Sequence, residues 1–142
     1  MKIGKLNDDE LKRIVFENLP PLNKFTLSGP GTGMDCALMK TQSGLMAITS
    51  DPVTGAGADI GKIAVNISCN DIACCGIVPV ALMVVILAPE NTNEEEITAI
   101  TRQISKTASE LNVSIAGGHT EISDAVSRFI IITTAFGYAS EN

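Results

Sequence analysis

An α+β domain is predicted, with a mixed β-sheet built on a β-α-β-α-β-β core, an accessory strand on its N-terminal side and helices on one face. Three observations predict it. Residues 80–87 are apolar at nearly every position and rich in valine, the pattern of a strand covered on both sides. Apolar residues recur with helical spacing at 60, 63, 64, 67 and 74, and again at 97, 100, 104, 108 and 111. Two strand-like segments flank Thr41-Gln-Ser-Gly44, a turn with glycine where positive φ is expected. Alternating strands and helices argue for a layered sheet with helices on one face, and the hairpin adds an antiparallel part.

Residues 1–33 read as an N-terminal extension: a short helix over Asp8–Glu17, then Asn18-Leu-Pro-Pro-Leu and the glycine-rich loop Ser28-Gly-Pro-Gly-Thr-Gly33. The domain proper is expected over residues 34–142. Met34–Lys40 and Leu45–Ser50 form the hairpin, Gly55–Asp59 a loop, and Ile60–Cys75 a helix stopped by Gly76, with Pro79 just beyond. Val80–Leu87 is the core strand. Asn91-Thr-Asn-Glu-Glu-Glu then offers two capping boxes, Thr92 with Glu95 or Asn93 with Glu96, ahead of an amphipathic helix. Val113–Ala116 is a short strand ended by a Gly117-Gly118 loop, and Arg128–Tyr138 is a long one.

The 142 residues suit one domain able to bury a core without metal or disulfide staples. Hydrophobic residues make up 45% and aromatics only 4%, with no Trp, so Ile, Val, Leu, Met and Ala must build the core. A net charge of −6 and the lack of any Lys/Arg cluster argue against nucleic acid as a partner. The longest apolar run, Val78–Ala88, is far short of the roughly 20 residues that span a bilayer. No apolar stretch follows the first lysines as in a signal peptide, so a cytoplasmic protein without membrane contact is expected. Cys36, Cys69, Cys74 and Cys75 match no zinc spacing and read as small packing residues in a reducing compartment.

The glycine-rich segment at 55–63 fails both standard nucleotide patterns. A P-loop ending in Gly61-Lys62 needs glycine at 56 and a hydroxyl residue at 63, where the chain has Ala and Ile. A dinucleotide fingerprint from Gly55 needs glycine at 60, which is also Ile. The aspartates are more informative. Asp71 falls beside the apolar stripe of its helix, where a carboxylate must meet a cation, keep its proton or reach a cleft. Asp35 and Asp51 lie on opposite strands of the hairpin, and antiparallel pairing brings them to one end of the sheet. Magnesium takes hard oxygen ligands of this kind, one or two carboxylates together with substrate phosphates and water. Ordinary polar turn and helix-end residues are the competing explanation. In Gly117-Gly118-His119-Thr120, backbone amides and the threonine hydroxyl suit phosphate oxygens, whereas His119, the single histidine, fits a structural hydrogen bond as well as a chemical role.

Four ordered segments resemble one superfamily: Gly29-Pro-Gly-Thr-Gly-Met-Asp-Cys-Ala, Thr49-Ser-Asp-Pro-Val-Thr-Gly-Ala, Asn66-Ile-Ser-Cys-Asn-Asp-Ile-Ala and Gly117-Gly-His-Thr-Glu. They are similar to the N-terminal domain of AIR synthase-related, or PurM-like, proteins over about residues 28–138. The Gly-Gly-His-Thr-Glu form is most similar to the hydrogenase-maturation protein HypE. The resemblance implies ATP as cofactor with Mg2+ held by Asp35, Asp51 and Asp71, and nucleotide contacts extending to Asn70, Gly117, Gly118, His119 and Thr120. It also implies a homodimer through the sheet and, for a HypE-like protein, a maturation-protein partner. Family enzymes carry a further C-terminal domain, expected to be absent here, so the chain alone is expected not to catalyse. HypE-like activity implies ATP-dependent dehydration of a carbamoylated cysteine. AIR synthase or thiamine-monophosphate kinase halves, and a dimerisation or docking module without catalysis, are the alternatives.

Overall fold

The computed structural model describes residues 3–55 and 57–140. Ala56, inside the expected Gly55–Asp59 loop, and the last two residues of the expected domain lie outside them. Nine regular elements follow in order: α1 (Asp8–Ile14), β1 (Thr26–Ser28), β2 (Ala37–Lys40), β3 (Gly44–Val53), α2 (Ile60–Cys74), β4 (Pro79–Pro89), α3 (Glu94–Glu110), β5 (Ser114–Ser123) and β6 (Ile130–Ser140). Short 3-10 turns cover Phe16–Asn18 and Gly57–Asp59. No helix among the described residues is long and apolar enough to cross a membrane.

The six strands form one mixed sheet in the order β1-β2-β3-β6-β4-β5. Only β4 and β5 run parallel, because α3 carries the chain back across the sheet between them. The β2–β3 hairpin closes on Thr41–Gly44, and Gly44 sits at φ 154° where a side chain would collide with Ala139 O. β1 was not foreseen. Three residues are too few to show alternation, yet Thr26–Ser28 pairs with β2 and becomes the sheet edge.

α2 and α3 cover one face of the sheet. Along β4 the side chains of Leu82, Val84, Ile86 and Ala88 are buried, and along β6 those of Ile131, Thr133 and Ala135. Burying each of the larger aliphatic side chains contributes about 2 kcal/mol. No helix among the described residues covers the other face: Ile48 pairs with Phe136 and Val85 with Ile132, and all four side chains remain half-buried.

α3 starts with the Asn93/Glu96 capping box, Glu96 N donating to Asn93 Oδ1 and Asn93 N to Glu96 Oε2, both at 2.9 Å. Thr92 is not part of a cap; its hydroxyl donates to Pro89 O at 2.7 Å and closes the preceding turn. The buried stripe of α3 is Ile100, Ile104, Thr107 and Ala108, close to expectation.

The stripe of α2 differs from the expected one. Its buried residues are Ile60, Gly61, Ala64, Val65, Ser68, Cys69 and Ile72, whereas Ile67 and Cys74 are exposed. The face is chosen by close approach rather than by hydrophobicity. A Cβ on Gly61 would come 2.7 Å from Ile100 O, so glycine lets α2 lie against α3. Ser68 Oγ lies 2.7 Å from Thr133 Oγ1, whose hydroxyl donates to Ala64 O at 2.8 Å, tying α2 to β6 through a satisfied buried network.

The Gly117-Gly118 pair is not a loop. β5 runs unbroken from Ser114 to Ser123, with a register shift that skips Ala116 between Ile115, opposite Leu82, and Gly117, opposite Met83. A Cβ on Gly118 would fall 1.7 Å from Val84 O, so this glycine allows close approach of the β5 backbone to β4. A signal normally read as a strand breaker here serves strand packing.

Candidate functional site

The aspartates meet on the helix-covered side of β3. Asp51 lies opposite Thr133, a residue buried toward the helices, so its carboxylate emerges on the same side as α2. Asp71 comes down to it from the C-terminal half of α2. Asp35 stands two residues before the Ala37–Ile48 pair, in the segment that enters β2. All three line one cleft of about 460 Å3, together with Thr49, Ser50 and Lys5.

Thr49 bridges the two half-buried carboxylates. Its Oγ1 is 3.1 Å from Asp71 Oδ2 and 3.4 Å from Asp51 Oδ2, and its one proton serves either acceptor in turn. The Asp71 carboxyl is held above its ordinary value, first by burial, then by hydrogen bonding and charge from Asp51, with Asp35 adding repulsion and the Thr49 hydroxyl partly offsetting it. The ion pair of Lys106 with Glu110 and the hydrogen-bonded pair of His119 with Glu121 lie elsewhere, and among the described residues Lys5 at the cleft makes no ion pair with the aspartates. Cys36 completes the floor. Its thiol donates to Asp71 O at 3.1 Å and is pushed up to about 12, first by burial and then by the neighbouring Cys75, with the acidic charges of Asp71 and Asp35 adding to the effect.

These donors suit magnesium. They are hard carboxylate and hydroxyl oxygens, and the burial and carboxylate crowding that raise Asp71 are what a divalent cation offsets. Among the described residues no three acidic, histidine or cysteine side chains close around a single point as a complete cage. Magnesium does not require one, because it keeps several waters and takes substrate phosphates as ligands.

The other expected contacts stand apart. Asn70 is exposed on α2 and does not line the cleft. Gly117, Gly118, His119 and Thr120 lie on β5, with β6 and β4 between them and β3. His119 Nε2 is 2.8 Å from Glu121 Oε2, and both side chains extend from the sheet edge on the uncovered side, in register with Val85 and Leu87. Gly117, Gly118, His119 and Thr120 all border a separate cavity of about 430 Å3 between β5 and α3. Within one chain, therefore, the acidic cleft and the Gly-Gly-His-Thr segment do not form one site. Thr49 was missed in the sequence, although its position two residues before Asp51 places both on one face of a strand. Nothing in the spacing marks Cys36 as the partner of the Asp71 carbonyl.

The chain belongs to the family of AIR synthase related proteins, N-terminal domain, which matches residues 33–139. It is 32% identical over 94% of its length to a Methanocaldococcus jannaschii protein named as a hydrogenase expression/formation protein, of which it spans 42%. It is 27% identical over 82% of its length to thiamine-monophosphate kinase of Pyrococcus horikoshii, of which it spans 38%. Among solved structures, a HypE–HypF complex matches with a TM-score of 0.74 at 23% identity, over 93% of this chain and 43% of that one. AaThiL complexed with AMPPCP and TMP matches with a TM-score of 0.71 at 15% identity, over 94% and 41%. HypE in complex with ATP matches with a TM-score of 0.63 at 21% identity, over 98% and 42%. These likenesses establish the PurM-like α+β fold.

Proposed function

We propose that this chain is the magnesium-ATP-binding domain of a HypE-like enzyme that phosphorylates and then dehydrates a substrate oxygen, and that it does not catalyse alone. The observation that carries this reading is the convergence of Asp35, Asp51 and Asp71 on one cleft, with no cation among the described residues paired to them. Bound there, magnesium would supply charge neutralisation for the phosphates. The contribution of the chain is to position, because phosphoryl transfer asks the protein mainly for alignment and electrostatic stabilisation. Asp51 and Asp71 hold the acidic end, with Thr49 fixing the carboxylate of Asp71.

Asn70, Gly117, Gly118, His119 and Thr120 complete the nucleotide contacts in this reading. The separation of Gly117–Thr120 on β5 from the aspartates within the chain favours a site shared between two copies. The uncovered sheet face, with Ile48, Val85, Ile132 and Phe136, is the surface through which a homodimer would form. His119 and Glu121 lie at the edge of that same face. A maturation protein of the kind present in the HypE–HypF complex is the expected further partner.

Calorimetric titration of the chain with ATP in the presence of magnesium tests the reading. Binding that disappears without magnesium, and weakens at least about tenfold, or ~1.4 kcal/mol, in Asp71→Ala, is expected. Binding indifferent to both changes would remove the acidic cleft from nucleotide recognition. A dimer that ignores magnesium and ATP would favour the docking module, for which the uncovered apolar face is the supporting observation.

A further inference from the structure

Cys74 and Cys75, expected to pack as Cys36 and Cys69 do, are exposed at the end of α2, because the buried face of that helix stops at Ile72. The N-terminal extension, in contrast, reaches the acidic cleft. Lys5, Gly29 and Pro30 line it together with Asp35, Asp51 and Asp71, and Lys5 is the one cation among the described residues that do so. The cap of α1 sets its place from just downstream. Asn7 N donates to Glu10 Oε2 at 3.2 Å and Glu10 N to Asn7 Oδ1 at 2.9 Å, so the chain enters the helix in a fixed direction two residues after Lys5. Leu6 between them is half-buried, although no residue of α1 itself is fully buried.

The Lys5 ammonium shares the cleft with three carboxylates and, among the described residues, forms an ion pair with none of them. It is free for another anion. The balance of charge asks for such a cation, because a magnesium-bound nucleoside triphosphate is still an anion when it meets the aspartates. Magnesium bridges the two and leaves an excess of negative charge. Lysine answers this as a compact point charge on a flexible stem, the form in which it binds phosphate.

We propose that Lys5 binds the terminal phosphate of the nucleotide, so that the N-terminal extension completes the phosphate end of the cleft. This rests on the magnesium-ATP reading. The terminal phosphate is the most highly charged of the chain and thus the strongest partner for a single ammonium. The aspartates serve the metal, and Lys5 serves phosphate oxygens that the metal leaves free. The contact is one of binding, and no bond changes at Lys5.

The test is calorimetric titration of the unaltered chain, Lys5→Met and Lys5→Arg with Mg-ATP, Mg-ADP and magnesium tripolyphosphate. Lys5→Met keeps an unbranched apolar stem and removes the charge. Mg-ATP binding should weaken about tenfold in this variant and Mg-ADP binding less than about threefold. Tripolyphosphate, which has no base, should follow ATP, and Lys5→Arg should restore most of the affinity. The salt dependence of Mg-ATP binding should also become shallower in Lys5→Met. Lys12→Met removes the same charge from α1, away from the cleft, and should leave every affinity unchanged. Unaltered Mg-ATP binding in Lys5→Met, an equal loss for ATP and ADP, or the same loss in Lys12→Met would overturn the proposal. If Asp71→Ala weakens Mg-ATP binding and Lys5→Met does not, the assignment of Lys5 falls and the magnesium-ATP reading stands. If the unaltered chain binds no Mg-ATP, both fall.

Discussion

The Thr49 hydroxyl lies 3.1 Å from Asp71 Oδ2 and joins the central strand β3 to helix α2 at the acidic cleft. Thr49 is buried, so this hydrogen bond orients a carboxylate that would otherwise face Asp51 without a donor. Thr49→Val keeps the shape and removes the donor. The expected cost is about 1 kcal/mol of stability, read from the urea midpoint, together with weaker magnesium-dependent nucleotide binding. Unchanged stability and binding would show that solvent orients Asp71 equally well.

Asp71 also gives a pH dependence whose sign is fixed by its surroundings. Burial, and then the hydrogen bond and charge of Asp51, raise its carboxyl in the folded chain above the ordinary carboxylate value. Between the unfolded and folded values the folded chain binds more protons, so this residue contributes a loss of stability as pH rises through that window. Without metal, Asp71→Asn should therefore be more favourable at neutral pH than well below the ordinary carboxylate value, where both states are protonated. Denaturation of the two proteins across that range measures it; a difference independent of pH would contradict the crowding of carboxylates.

Gly118→Ala tests the β4–β5 ladder. The added Cβ would fall 1.7 Å from Val84 O, a backbone atom that cannot rotate away. A loss of about 2–4 kcal/mol in chemical denaturation is expected, as for other overpacked or strained positions. A change below about 0.5 kcal/mol would mean that the strand relaxes outward at the edge.

The uncovered sheet face predicts self-association. Phe136→Asp places a charge in the middle of that face while leaving the helix-covered core intact. Sedimentation velocity should show a dimer for the unaltered chain and a monomer for the variant. A monomer in both cases would remove the shared-site arrangement.

Much of the fold is written in local physics. The Val-rich run of β4, the capping box before α3 and the glycine turn of the hairpin each depend on neighbouring residues; β4 and the hairpin turn formed where expected, and of the two capping candidates Asn93 with Glu96 formed. Asp35 and Asp51 were expected at one end of the hairpin because antiparallel pairing alone brings them there. What remained hidden depends on distant partners. The buried face of α2 is set by Gly61 against α3 and Ser68 against Thr133, contacts that no hydrophobic period contains. The glycine pair in β5 looks like a loop until the Val84 carbonyl opposite it is known. The separation of Gly117–Thr120 from the aspartates follows from strand order, with β6 inserted between β3 and β4, and order in a sheet is not a local property.

Calorimetric titration of magnesium-ATP into the unaltered chain and into Asp51→Asn decides the role of the acidic cleft. The cleft reading predicts saturable binding that requires magnesium and falls at least about tenfold in the variant, with the fold intact by circular dichroism. Equal binding by both proteins, or binding that persists after chelation of magnesium, would contradict it.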